Sequence, residues 1–363
     1  MAVSPMKVGV IGCGAISGAY FDAAKRFPVL QIAAAADLDM ERAAAKAKDN
    51  NCRACSVAEI LSDPEIKIIL NLTIPKAHYE IAMKSIEAGK HVHAEKPLAV
   101  DRTQGKKIVE AAKAKGVRVG SAPDTFMGAG IQTCIKLIDD GWIGTPLGAT
   151  AFMTCRGHES WHPDPEFYYE IGGGPVLDMG PYYLTALVAM LGPVKRTASF
   201  SKASFEYRTI TSAKKFGKKV KVEVPTHVAG SLDFANGVLG TIIMSFDVVG
   251  AQLPRIEIFG SEGTISVPDP NAFSGPIHVQ RLGGERQQVP FSHIYAENNR
   301  GIGAADIAYA VQSGRPHRCS GEMAYHVLDV MQALNEGGTQ TIASTCHRPA
   351  PLPLGLVSGQ LDE

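Results

Sequence analysis

The chain has 363 residues, 45% of them hydrophobic, with 36 Lys and Arg against 36 Asp and Glu and a formal net charge of zero. At about 150 residues per domain this length predicts two domains with cores of their own, and the balanced charge argues against a nucleic-acid or anionic-membrane binder, whose affinity comes largely from clustered Lys and Arg. No apolar run approaches the ~20 residues of a membrane-spanning helix, and the opening MAVSPMKVGVIGCG lacks a basic stretch, an apolar stretch and a cleavage site in succession, so a cytoplasmic protein is expected.

From the start to about residue 123, short apolar runs alternate with helix-like segments, which predicts a parallel sheet with crossover helices. Residues 8–11 read as a buried strand, followed by an Ala-rich helix from about Ala15 and a second strand over 30–36 that closes on Asp37. Residues 40–48 read as helix, 66–72 as the next central strand, and 78–88 as a helix stopped by Gly89. A strand over 91–94, a helix over 101–115 ended by Gly116 and a strand over 117–120 complete the pattern.

Beyond that point the texture changes. Residues 255–259 alternate polar and apolar, and Gly260-Ser261-Glu262-Gly263 before 264–267 reads as a hairpin turn. Further strands are predicted over 149–155, 228–234 and 238–246, the last two joined by Ala235-Asn236-Gly237, so the second half should form an antiparallel sheet. Two helices, around 182–191 and 321–336, punctuate it; the basic run 214–221 reads as a solvated hairpin, and the tail from Pro349 as extended and poorly ordered.

The first chemistry-bearing motif is Gly12-Cys13-Gly14-Ala15-Ile16-Ser17, directly after the first strand and opening the first helix. In that context Gly12 permits a tight turn and Gly14 lets a pyrophosphate approach the backbone. The N–H groups around Ala15 and Ile16 and the helix dipole then favour its charge. Ser17 stands where a third glycine is more usual. Asp37 lies 23 residues after Gly14, at the spacing of a ribose ligand. A carboxylate there accepts from the 2′ and 3′ hydroxyls and repels a 2′-phosphate, which favours NAD over NADP, as do the neighbours Leu38 and Asp39. The alternative is a packing turn and an Asp that merely starts the next turn.

The seven cysteines are odd in number and scattered, which is not a disulfide framework. Cys52 and Cys55 form one C-x-x-C with no second pair at zinc-site spacing, a chance spacing or else a redox or metal pair; the eleven histidines show no ligand pattern, and no metal is implied.

Thr73-Ile74-Pro75 with His78, then Gly89-Lys90-His91-Val92 leading to Ala94-Glu95-Lys96-Pro97-Leu98, and later Gly172-Gly173-Gly174 with Asp178-Met179-Gly180, resemble the Gfo/Idh/MocA family of oxidoreductases. The Glu-Lys-Pro tripeptide lies about 80 residues after the glycine fingerprint and about 80 before the triple glycine, and the likeness covers nearly the whole chain. The resemblance implies an α/β fold: an N-terminal Rossmann domain over 1–123, a C-terminal α+β domain over 124–345 with an open, mostly antiparallel sheet, and a tail over 346–363. It further implies hydride exchange between a nicotinamide and a sugar, polyol or related cyclic alcohol, assembly as a homodimer or homotetramer through the open sheet, and neither nucleic acid nor membrane as partner. Thr73, Pro75, His78, Glu95 and Lys96 match positions at the cofactor; Lys96 matches the catalytic-site lysine and Asp178 its partner. Where the family often carries D-x-x-x-H-x-x-D, this chain has Tyr182 in place of the His and Thr185 in place of the last acid, similar to the tyrosine-bearing branch that includes glucose-fructose oxidoreductase and dihydrodiol dehydrogenases.

These residues suit the chemistry. Oxidising a carbinol needs a proton acceptor at its oxygen, and a tyrosine with pKa about 10 is too weak a base unless a neighbouring ammonium, here Lys96, favours its phenolate. Lys96 can also stabilise negative charge on the reacting oxygen, and Asp178 and Tyr182, four apart, share a face if helical. Plainer readings stay open: a surface lysine, Asp178 as an N-cap ahead of Pro181, and Tyr182 as a packing aromatic. The segment 156–169, RGHESWHPDPEFYY, combines polar and stacking groups suited to sugar recognition, with His158, Trp161 and His162 as candidate substrate contacts, or else an oligomer interface; Asp124 or Thr125 is a further candidate. Two other functions are compatible with the same motifs: a glycosidase using held NAD for transient oxidation and elimination, and a non-catalytic dinucleotide-binding regulator.

Overall fold

A computed structural model describes residues 3–362. The first half is built from β1 (Met6–Ile11), α1 (Ser17–Arg26), β2 (Leu30–Ala36), α2 (Met40–Asp49), β3 (Arg53–Ala54), α3 (Val57–Ser62), β4 (Ile66–Asn71), α4 (Pro75–Glu87), β5 (His91–Ala94), α5 (Arg102–Lys115) and β6 (Val119–Ser121). The strands form one parallel sheet in the order β3-β2-β1-β4-β5-β6, with the order reversing beside β1, where such folds open a ligand crevice. The apolar runs that mark the strands are buried throughout, from Val8 and Val10 to Ile68 and Val92. Helix ends obey local chemistry: Ser56 and Glu59 cap α3 reciprocally, Asp101 caps α5, and Gly116, at φ +72°, ends α5 in the left-handed conformation that glycine adopts at least cost.

The second half adds α6 (Ala129–Asp139), β7 (Pro146–Thr154), α7 (Pro175–Leu191), β8 (Val194–Lys202), β9 (Tyr207–Thr209), β10 (Lys219–Lys221), β11 (His227–Phe234), β12 (Leu239–Ser245), β13 (Ile256–Gly260), β14 (Gly263–Val267), β15 (Ile277–Arg281), β16 (Gln287–Val289), α8 (Ile302–Ser313), α9 (Gly321–Glu336) and β17 (Gly338–Thr341). Nine strands form a sheet in the order β16-β15-β14-β13-β7-β12-β11-β8-β17, antiparallel except for the parallel β7–β12 pair. The predicted hairpins β11–β12 and β13–β14 are both present. Helices α6, α7 and α9 cover one face; the other leaves Phe200, Leu239 and Leu147 exposed. Among the described residues no helix is long and apolar enough to cross a membrane.

Two expectations are corrected and two helices are added. Helix α7 starts seven residues before Tyr182, at Pro175, with Pro181 inside it, so Asp178 is a first-turn residue and not a cap. Helices α6 and α8, over which the sequence reading placed no element, are nearly buried all round. The tail is tied down: Leu352 and Leu361 are buried, Tyr309 donates to Gly359, and Asp362 pairs with Arg315. Helix α8, although it follows the mixed sheet in the chain, packs against β4, β5 and β6 of the parallel one.

Candidate active site

The turn between β1 and α1 is built for a diphosphate. Gly12 sits at φ +102°, and a Cβ there would lie 2.6 Å from the carbonyl of Leu72, so only glycine lets the turn approach the end of β4. A Cβ on Gly14 would meet nothing within 4 Å, and the N–H groups of Ala15 and Ile16 have no partner among the described residues. Helix α1 has no side-chain cap, leaving its first donors open to an anion. Ser17 is absorbed without conflict, its hydroxyl turned back to the Gly14 carbonyl at 2.7 Å. Asp37, at the tip of β2, accepts from the N–H of Cys13 at 2.7 Å and of Asp39 at 2.9 Å. Arg42, which sequence spacing did not single out, lies 3.6 Å from Asp37 and 3.2 Å from Asp39. Ile16, Leu38 and Ile74 give the crevice an exposed apolar rim. Open donors, a free Cβ position and a terminal carboxylate fit a dinucleotide.

The ends of β4 and β5 are braced from behind. His78 is wholly buried, one ring nitrogen 2.7 Å from the Pro97 carbonyl and the other 2.9 Å from that of Thr73; burial lowers its pKa. Thr73 donates to Asn71, which in turn donates to the His78 carbonyl. Glu95 accepts from Tyr20 of α1 at 2.8 Å and from the Lys96 N–H at 3.1 Å. His78 and Glu95 thus position the crevice wall, while Thr73 and the exposed Pro75 lie on its rim.

Lys96, just past β5, reaches α7. Its ammonium donates to the Asp178 carboxylate at 2.9 Å and to the Asp178 carbonyl at 2.7 Å, and lies 5.3 Å from the centre of the Tyr182 ring. Burial alone would lower the Lys96 pKa, but the Asp178 charge overrides it and raises it. Burial would likewise raise Asp178, yet Lys96 and then His158 hold it at about 2. For Tyr182 burial prevails and raises the pKa, with Lys96 and Arg300 pulling it back only in part. The expected lowering is therefore a partial offset: the phenol is protonated at rest. Arg300, whose charge acts on that phenol and which Asn271 anchors at 2.8 Å, was not visible in the sequence because it arrives from the loop before α8.

The segment after β7 folds over this pair. The His158 ring lies 4.1 Å from that of Tyr168, 4.7 Å from Phe246 and 5.4 Å from Trp161, with Nε2 3.6 Å from Asp178. Trp161 is exposed and meets His162 edge-on; His162 accepts from the Asp164 N–H. Beneath them Arg208 of β9 binds Glu159, and Asp247 at 2.7 Å. The basic run is a hairpin, but not a merely solvated one: Lys214 and Lys215 grip Asp164, and Lys215 and Lys218 grip Glu166. Asp124 stands apart from the candidate contacts. It is 1% exposed and its Oδ2 accepts from the N–H groups of Gly301 and Gly303, holding the start of α8. Thr125 is likewise buried and bonded to Pro270.

Two family profiles match the chain: "Oxidoreductase family, NAD-binding Rossmann fold" over residues 6–122 and "GFO/IDH/MocA C-terminal domain" over 131–266. Among relatives, a 1,5-anhydro-D-fructose reductase of Ensifer adhaerens is 27% identical over 264 residues, covering 71% of this chain and 74% of its own. A levoglucosan dehydrogenase of Pseudarthrobacter phenanthrenivorans is 26% identical over 291 residues, 72% and 73% of the two chains. The solved structure of a levoglucosan dehydrogenase in complex with NADH and L-sorbose superposes with a TM-score of 0.81 at 22% identity, over 93% of this chain and 99% of that one, which establishes the shared fold.

Proposed function

The chain belongs to the Gfo/Idh/MocA family of oxidoreductases, and on that premise we propose that it is an NAD-dependent dehydrogenase of a sugar, polyol or related cyclic alcohol. The observation that carries the reading is the part-buried Lys96–Asp178 pair beside Tyr182, at the strand ends next to the glycine turn with open N–H donors. The relatives named above, a sugar-derivative reductase and a levoglucosan dehydrogenase, support the substrate class.

The turn at Gly12 and Gly14 would hold the pyrophosphate and Asp37 the adenosine ribose. Asp37 and Asp39 outnumber Arg42, and their net negative charge disfavours a 2′-phosphate, which supports NAD. The bound nicotinamide supplies the hydride acceptor, a two-electron chemistry outside the reach of the side chains. Lys96, permanently protonated, donates to the reacting oxygen and stabilises negative charge there. Tyr182 exchanges the proton: its phenol donates to a carbonyl oxygen in the reducing direction, and Lys96 and Arg300 stabilise the phenolate that accepts one in the oxidising direction. Asp178 keeps Lys96 aimed. The exposed Phe200, Leu239 and Leu147 support assembly as a homodimer or homotetramer through the open sheet face. Purified protein with NAD, screened against aldoses, inositols and anhydrosugars at 340 nm, should turn over at least one in either direction; silence across the panel would sink the reading.

A further inference from the structure

Asp178 has two carboxylate oxygens, and each faces a different group. Oδ1 receives the Lys96 ammonium at 2.9 Å; Oδ2 faces His158 Nε2 at 3.6 Å. The His158 side chain is only 14% exposed, walled by Tyr168, Phe246 and Trp161, and Nε2 has no other partner. Its second ring nitrogen is different: Nδ1 makes no hydrogen bond among the described residues and, unlike Nε2, is not fully buried. A carboxylate at Nε2 favours the tautomer with the proton there, leaving a bare lone pair on Nδ1. The backbone holds the ring in place as well, since the His158 N–H points to the Tyr169 hydroxyl at 3.4 Å.

Resting on the dehydrogenase reading, we propose that His158 is a specificity-determining residue: its Nδ1 accepts a hydrogen bond from a second hydroxyl, on the carbon next to the one oxidised, so the substrate is a cyclic vicinal diol. The carboxylate of Asp178 is the ruler. It spaces an ammonium for the reacting oxygen from an acceptor for the neighbouring one, and the aromatic walls make a wrong group expensive, because an unpaired nitrogen against Tyr168 and Phe246 has little water to turn to. The proton and electron balance of the oxidation is untouched: the hydride would pass from the carbon bearing the first hydroxyl to the nicotinamide, that oxygen keeps the electron pair of its O–H bond to form the carbonyl, and its proton goes to Tyr182 once the phenol has released its own to solvent. The second hydroxyl only binds.

The test compares the best cyclic polyol from the panel with its analogue in which the adjacent hydroxyl is replaced by hydrogen. The intact enzyme should prefer the parent by ~10²-fold in kcat/KM, and His158→Phe, which refills the aromatic pocket, should reduce that preference to under about threefold while binding NADH as before. His158→Gln, which keeps an acceptor, should retain an intermediate preference. Equal turnover of both substrates by the intact enzyme, or an undiminished preference in His158→Phe, would overturn the proposal. A second readout needs no turnover: in protein labelled with ¹⁵N-histidine, the His158 imidazole should carry its proton on Nε2, and Asp178→Asn should abolish that bias. A proton on Nδ1 would overturn the proposal on its own. If no substrate is turned over, the dehydrogenase reading fails, while the tautomer still decides whether Nδ1 is the acceptor.

Discussion

The nucleotide crevice and the segment folded over Lys96 are made by opposite strategies. In the crevice, Gly12, Gly14 and Asp37 come from 26 consecutive residues and act through backbone geometry, such as the φ of +102° at Gly12. Over Lys96, the site assembles Asp178 and Tyr182 from α7, His158 and Tyr168 from one loop, Phe246 from the end of β12 and Arg300 from another loop, and acts through charge held out of water. A backbone device tolerates changes in the side chains around it. A charge device depends on every member, because removing one partner leaves the other buried and unpaired.

Four changes probe that contrast. The largest effect is expected from Lys96→Met: kcat should fall by ~10³-fold with NADH affinity changed only a few-fold, read by steady-state kinetics and fluorescence titration. A matching loss of NADH binding would mean that the two regions are one. Asp37→Ser should move the NAD-to-NADP preference by ~10- to 100-fold toward NADP, leaving kcat with the favoured cofactor nearly constant, since it removes one of the two carboxylates that oppose Arg42. Next comes a pH dependence. Asp178 is held at about 2 in the folded chain, against about 4 for an ordinary carboxylate, so its pairing stabilises the fold fully above pH ~4 and is lost as pH falls from there toward ~2. Asp178→Asn should accordingly cost on the order of 2 kcal/mol in denaturant unfolding at pH 6, with the gap to the native chain closing on acidification. The smallest effect belongs to Lys215→Gln, which loosens Asp164 and Glu166 at the chain surface. It should raise the substrate KM by about threefold at low salt and less at high salt, because exposed pairs are weak and screened.

The same contrast explains what could be read from sequence. The glycine turn and Asp37 were legible as positions, because a turn that needs glycine and a carboxylate at the end of a strand are local demands; Arg42, which faces Asp37 from α2, was not. Lys96 and Asp178 were legible as chemistry through their motifs, and their contact at 2.9 Å unites segments 82 residues apart. Arg300 and Phe246 were not, since nothing in their own neighbourhoods sets them apart until the fold delivers them. Lys214, Lys215 and Lys218 read as solvated because their partners lie some 50 residues upstream. Tyr182 shows the limit from the other side: its neighbouring cation was foreseeable, but the burial that outweighs it belongs to the packing of α7.

Helix α8 and the tail have a mechanical consequence. The chain leaves the parallel sheet after β6, builds most of the mixed one, comes back as α8, leaves again through α9 to lay down β17, and finally returns with the tail that ends on Arg315. The two sheets are therefore stitched by several crossings instead of a single linker. Any rotation that opens the cleft between them must flex all of these crossings together. The geometry around Lys96 is accordingly that of a stiff vice, and the segment 156–170 that closes over it is itself anchored, by the buried pair of Glu159 with Arg208 and by the wholly buried Tyr169.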